Sequence, residues 1–191
     1  MNDDNNKWET EAGAGFLKKI GVKQGDNILD FGAGKGSYSV PAAFVSGETG
    51  VVYAVEMEEE AAKELINKAK AAAGNIKIIK GGGGIKTGLK GNSVDFAMAY
   101  DVLHYMGEGK RAELYGEIRR VLKSGGIFSV YPKHISGDNP QGTLADKEAG
   151  DIIKEAEKAG FDLSKRHCGK VRHDDCLNYG CVFNFIKTNG R

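Results

Sequence analysis

An apolar run, Ile28-Leu29, closes in Asp30 and leads through Phe31 into Gly32-Ala33-Gly34-Lys35-Gly36-Ser37. Twenty residues after Gly36, a second apolar run from Val51 closes in Glu56. Glycine at Gly32, Gly34 and Gly36 lets a backbone turn sharply and bring its amides against a ligand with no Cβ between them. A helix that begins after such a turn exposes amides that favour a carboxylate or phosphate. An acid at the end of the following strand is placed to accept two hydrogen bonds from a ribose diol. The chemistry implied is the holding of a nucleotide-like ligand. The plainer reading, that any doubly wound fold has tight turns after its strands, does not account for the spacing of Glu56.

Further along, His104, Tyr105, Lys133 and His134 follow two more apolar runs, and they are the residues expected around a second substrate. His104 or His134 is a candidate general base, since imidazole titrates near neutral pH; a purely structural histidine is the alternative for each. Trp8 and Tyr38 are candidates for closing a pocket, or for ordinary packing. The tail carries His167, Cys168, His173, Asp174, Asp175, Cys176 and Cys181. These are ligand types for zinc, and the three cysteines suit a soft metalloid. With no C-x-x-C pair, the spacing matches no closed zinc module, so no metal is expected. The odd cysteine count, without a secretory leader, points to reduced thiols and a cytoplasmic location.

These residues need a framework of strands. Asn27 to Phe31, Val51 to Glu56, Ile76 to Lys80, Ser93 to Tyr100 and Gly126 to Pro132 read as strands. Helices are expected over Glu9 to Ile20, Gly34 to Val45, Glu58 to Ala73 and Lys110 to Val121, and another within Thr143 to Ala159. Two final strand-like stretches, around Phe161 to Leu163 and Cys181 to Ile186, have no helix between them. Strands that are apolar on both faces and alternate with helices mark a parallel sheet covered on both sides. The expected fold is a doubly wound, Rossmann-like, mostly parallel seven-stranded α/β sheet with an antiparallel edge strand. It forms a single domain over 1–191, with a short N-terminal helical segment over 1–24.

Composition narrows the partners. Of 191 residues, 40% are hydrophobic and 28% charged, with 27 Lys and Arg against 26 Asp and Glu and a net charge of +1. No global field draws such a chain to nucleic acid or a membrane surface, although Lys165, Arg166, Lys170 and Arg172 could form a local basic patch. No run reaches the roughly 18 apolar residues of a spanning helix, so no membrane insertion is expected.

A dinucleotide fingerprint would place a third glycine where Ser37 stands. Here it falls at Gly36 instead, with Asp30 two residues before the first glycine. This pattern resembles motif I of the class I S-adenosylmethionine-dependent methyltransferases. Val51-Val52-Tyr53-Ala54-Val55-Glu56-Met57 is similar to the family's second-strand motif, and Asp95 to His104 to its fourth-strand motif. Leu122-Lys123-Ser124-Gly125-Gly126 resembles its Leu-Lys-Pro-Gly-Gly turn. The match runs over about residues 25 to 135 and most resembles small methyltransferase-domain proteins related to the ubiquinone/menaquinone C-methyltransferases. The resemblance implies S-adenosylmethionine as cofactor and S-adenosylhomocysteine as product. It places Asp30 near the methionine amino group, Gly32, Gly34 and Gly36 in the cofactor turn, and Glu56 on the ribose. Met57 falls beside adenine and Tyr100 near the sulfonium. Where the family often carries Gly-Asp-Ala, this chain has Gly81-Gly82-Gly83-Gly84, so Gly82 offers a backbone amide to adenine but no carboxylate.

The resulting expectation is methyl transfer to an unidentified, small-molecule acceptor, with a homodimer left open. An NAD-dependent oxidoreductase is disfavoured by Ser37. A degenerate nucleotide-binding module is the rival raised by the glycine run. An RNA ribose methyltransferase is the rival raised by Asp101, Lys133 and Lys18, although Asp101 as a turn cap and Lys133 as a solvated lysine is the simpler view. The neutral charge gives no RNA footprint.

Overall fold

The computed structural model describes residues 7–71, 74–80, 84–174 and 176–188, with the side chains of 71 and 80 left aside. Seven strands form one sheet in the order β3-β2-β1-β4-β5-β7-β6. They are β1 (Asn27–Phe31), β2 (Val51–Glu56), β3 (Ile76–Lys80), β4 (Val94–Tyr100), β5 (Leu122–Tyr131), β6 (Phe161–His173) and β7 (Cys176–Lys187). Residue contacts cluster in two compact units, one of Met1–Gly83 with Arg172–Asn178, the other of Gly84–Val171 with Tyr179–Arg191.

In the first unit β1 pairs with β2 and β2 with β3, both parallel. A π-helical turn, Trp8–Ala12, runs into α1 (Gly13–Ile20), followed later by α2 (Ser39–Ser46) and α3 (Glu59–Ala71). Helix α1 stops at Gly21, whose φ of 117° suits a residue without Cβ. Helix α2 starts five residues later than the pattern suggests. Gly34 and Gly36 hold φ of 53° and 90°, a conformation incompatible with a right-handed helix. Pro41 consequently falls in the first turn of α2, where its missing amide has no helical partner to lose. Helix α3 opens on Glu59 and Glu60 and ends with Lys68 and Lys70, complementing its dipole. Ala33, Ala54 and Leu65 form a core cluster with Ile76 and Ile78 packed against it.

In the second unit β4 and β5 are parallel, whereas β5 and β7 are antiparallel. Strand β5 begins before Ser124-Gly125-Gly126, which the sequence reads as a turn. The register shifts between Val94 and Phe96, and Gly125 takes φ of 72° inside the strand. The stretch is thus absorbed as a strand irregularity. Helices α4 (Glu108–Val121) and α5 (Ala149–Lys158) belong to this unit, as do two 3₁₀ turns, Leu103–Tyr105 and Gly142–Leu144. The helix expected within 143–159 is α5, and the second 3₁₀ turn precedes it.

Two buried ionic groups fix the surrounding loops. On α4, Glu117 accepts from Thr87 N–H and Oγ at 2.9 and 2.7 Å and from Arg120 at 2.8 Å. The Arg120 contact, foremost, holds its carboxyl down at about 2. Arg111, almost fully buried, makes a bidentate pair with Glu155 of α5 at 2.7 Å for each bond. Its guanidinium also donates to the Met106 carbonyl at 2.6 Å and to Thr143 Oγ1 at 3.1 Å. The 3₁₀ turn that contains His104 and the one at Gly142–Leu144 are thereby tied to one cation.

The expectation of three reduced thiols is overturned for one pair: Cys168 and Cys181 are disulfide-bonded. Strand β6 ends at His173 and β7 begins at Cys176, a connection too short for anything but an antiparallel return. That return brings positions 168 and 181 across from each other, with Cα atoms 4.1 Å apart. Cys176 remains an exposed thiol. Among the described residues, no helix is long and apolar enough to cross a membrane.

Candidate functional site

Within the first unit the structure gathers most of the residues expected to hold a nucleotide. The backbone leaves β1 and crosses β2, with the Gly32 and Ala33 amides donating to the Val55 carbonyl at 2.9 and 3.0 Å. The Gly34 amide then donates to Glu56 Oε2 at 2.6 Å. Glu56 Oε1 accepts the amides of Met57 and Glu58 at 2.7 Å each. The acid that closes β2 therefore sits on the glycine turn. A Cβ on Gly36 would come within 2.7 Å of Leu65, so this glycine is needed for close packing of the turn on α3. At Gly34, by contrast, a Cβ would meet nothing within 4 Å, so the turn is open on that side.

Asp30 lies beneath the turn, almost fully buried, and accepts from Ser39 Oγ at 2.6 Å. Burial pushes its carboxyl up to about 7, opposed by the Ser39 hydrogen bond and assisted by the negative Glu56. A cation beside Asp30 would favour its ionised form. Ser39 was not singled out in the sequence; a serine at the start of a helix signals nothing beyond helix initiation. Met57 is 53% exposed, beside Glu56 in sequence. Gly82 lies outside the described residues.

The N-terminal segment is pinned to the same turn. Trp8, 2% exposed, donates its indole N–H to the Ser37 carbonyl at 2.9 Å and packs edge-on against Tyr38 at 5.6 Å. Glu9 forms an ion pair with Lys68 of α3. The Tyr38 hydroxyl donates to the Arg172 carbonyl at 2.8 Å and accepts its amide at 3.0 Å. The packing alternative for Trp8 and Tyr38 is thus realised, directly on the cofactor-type turn.

In the second unit, Tyr100 is buried with its hydroxyl 2.7 Å from Ser129 Oγ. Beyond the carboxyl ends of β4 and β5, Asp101 Oδ1 lies 3.5 Å from both His104 Nδ1 and His134 Nε2. The two imidazoles are buried with centroids 4.4 Å apart, and Tyr105, 78% exposed, lies against His104 at 3.8 Å. His134 Nδ1 is 2.8 Å from the Asn139 carbonyl. Lys133, expected as solvated, is buried in an ion pair with Asp138. Asp101 and His134 hold φ of 53° and 68°, so a left-handed backbone turns both side chains into the cluster. The simple turn-cap reading of Asp101 missed this convergence, because nothing local in sequence links position 101 to 134.

The residues of the first unit fit S-adenosylmethionine: an open glycine turn, a carboxylate set against it, and a buried acid that a cation would ionise. A sequence family described as "Methyltransferase domain" matches residues 29–130, more than half of the chain. The probable cobalt-precorrin-6B C(15)-methyltransferase (decarboxylating) of Saccharolobus solfataricus is 39% identical over 67 residues, or 34% of each chain. The present chain thus spans about a third of the length of that curated relative. A SAM-dependent methyltransferase from Aquifex aeolicus superposes with a TM-score of 0.77 at 23% identity, covering 97% of this chain and 95% of that one. Magnesium protoporphyrin IX methyltransferase from Synechocystis PCC 6803, solved with bound SAM, superposes with a TM-score of 0.67 at 19% identity, covering 97% and 81%. With the glycine turn, Glu56 and the alternating sheet in place, the chain belongs to the methyltransferase-domain family of class I S-adenosylmethionine-dependent enzymes.

Proposed function

We propose that the acceptor of this methyltransferase is a small molecule, and that the cofactor is held by the residues of the glycine turn. The single observation that carries the cofactor assignment is the 2.6 Å bond from the Gly34 amide to Glu56, which sets a carboxylate against the turn. In this reading Glu56 accepts the ribose hydroxyls, and Asp30 faces the methionine amino group. The turn at Gly32, Gly34 and Gly36 passes close to the cofactor without side chains in the way. Met57 and the Gly82 amide flank adenine, and Tyr100 lies near the sulfonium. When bound, the cofactor supplies an activated methyl group; the protein's task is to align it with the acceptor, which can contribute about 7–11 kcal/mol. The balanced surface charge supports a small acceptor over RNA.

Calorimetric titration with S-adenosylhomocysteine, with NAD as control, tests the assignment. Micromolar binding of the former and none of the latter is expected; folded protein that ignores S-adenosylhomocysteine would remove the reading. Trp8 offers a second measure, as the chain's one tryptophan, bonded to Ser37 beside the turn. Its fluorescence is expected to shift in intensity or wavelength as S-adenosylhomocysteine is added, in step with the calorimetric isotherm. An unchanged spectrum at saturation would mean that the N-terminal segment does not sense the ligand.

A further inference from the structure

Cys168 of β6 and Cys181 of β7 are bonded across neighbouring strands at the edge of the sheet. Their Cα separation of 4.1 Å is close to that of a non-hydrogen-bonded antiparallel pair, where side chains approach most nearly. The bond therefore adds a covalent tie to strands already neighbours through their backbones. Along β6, Arg166, Cys168 and Lys170 are exposed whereas His167 and Val171 are buried, so the first three share the face that meets solvent. The two sulfurs have different surroundings. Cys168 is exposed, and Cys181 is half-buried. Arg166 Nη2 donates to Cys181 Sγ at 3.2 Å, and its guanidinium is laid 5.5 Å over the ring of the buried Phe183. A cation held against a sulfur favours its thiolate. The disulfide is thus flanked by Arg166 and Lys170, and Cys181 is the sulfur prepared to carry negative charge.

We propose that Cys168–Cys181 is a reversible redox pair whose reductant is an anionic small thiol of the glutathione class. The thiolate of that reductant attacks the exposed Cys168 sulfur, drawn there by Arg166 and Lys170. A bond forms between the incoming sulfur and Cys168 Sγ. The Cys168–Cys181 bond breaks, and its electron pair goes to Cys181 Sγ, which leaves as a thiolate paired with Arg166. A second thiolate then attacks the reductant's sulfur in the mixed disulfide and releases Cys168, which takes a proton from water. Two external thiols are oxidised to one disulfide, and the protein disulfide is reduced to two thiols. Glutathione disulfide drives the same steps backwards, with Cys181 as the first attacking thiolate. Reduction removes the one covalent tie between the edge strand β6 and its neighbour β7.

The test uses the full chain with its exposed third thiol removed by Cys176→Ser. Folded protein is held in millimolar reduced glutathione and then in glutathione disulfide, with free thiols alkylated and counted by mass. Loss of the bond in the first buffer and its return in the second are expected. A bond that survives in the folded protein and yields only in urea overturns the proposal, as does a pair that stays reduced in glutathione disulfide. A second arm reads the division of roles. In the reduced protein at about pH 7, iodoacetamide should modify Cys181 about threefold faster than the more exposed Cys168, since the thiolate is the reacting form. Arg166→Gln should abolish that preference and slow reduction by glutathione about threefold, whereas Arg166→Lys, which keeps the cation, should retain both. Arg166 is exposed, so neither change disturbs the core. Faster modification of Cys168 in the wild-type background, or an unchanged order in Arg166→Gln, overturns the roles given to Cys181 and Arg166. Neither arm depends on binding of S-adenosylhomocysteine.

Discussion

Glu56→Ala should weaken S-adenosylhomocysteine binding about 100-fold while leaving a folded protein. Two hydrogen bonds from a ribose diol to an ionised carboxylate are each worth about 1.5–3 kcal/mol, so losing them, with some compensation from water, costs about 3 kcal/mol. The same carboxylate anchors the Gly34 amide and the amides of Met57 and Glu58, so the variant also loosens the turn. Glu56→Gln keeps one acceptor oxygen and should fall between wild type and alanine. Calorimetry distinguishes these outcomes; an alanine variant within about threefold of wild type would show that the ribose is held elsewhere.

Asp30 should make the stability of the unliganded protein fall as pH rises from about 4 to about 7. Its carboxyl, ordinarily at 3.8, is raised to about 7 by burial. The folded state therefore keeps a proton that the unfolded chain has already released across this window. The stabilisation is complete below the unfolded value and is lost as pH climbs to the folded one. A displacement of about 3 units corresponds to at most about 4 kcal/mol. Urea unfolding across this range should show the slope in wild type and its absence in Asp30→Asn, after other groups cancel in the comparison. Parallel curves for the two proteins would mean that Asp30 is ionised in the folded state. The same displacement predicts that a cationic ligand, bound near pH 6, drives a proton off Asp30.

The sequence revealed most where function depends on local spacing. Gly32, Gly34, Gly36 and Glu56 could be read together because the turn and the next strand end are joined by one helix, and the pairing of β1 with β2 follows from that short connection. Less was legible where residues meet through the fold. Ser39 on Asp30 and Asn139 on His134 are contacts between a side chain and a partner whose type signals nothing. The Asp101 cluster requires β4 and β5 to be neighbours, and positive φ at two residues with side chains. The disulfide escaped for a different reason: an odd number of cysteines says nothing about which two a hairpin brings opposite. The start of β5 was misplaced because Ser124-Gly125-Gly126 has the composition of a turn, and only pairing with β4 stretches it into strand.

The order of the sheet leaves β3 and β6 with unpaired outer rims, the places where a strand from another molecule could add. Each rim is guarded by cations. Lys77 is exposed on β3 and extends over the Tyr53 ring. On β6, Lys165 and Arg166 stand in an exposed run, with Arg166 laid over Phe183. The Cys168–Cys181 bond also fastens β6 to its inner neighbour. Two copies meeting rim to rim would set like charges against each other at the distance of a strand pair. Continuous sheets and cross-β stacking are thus discouraged at both ends.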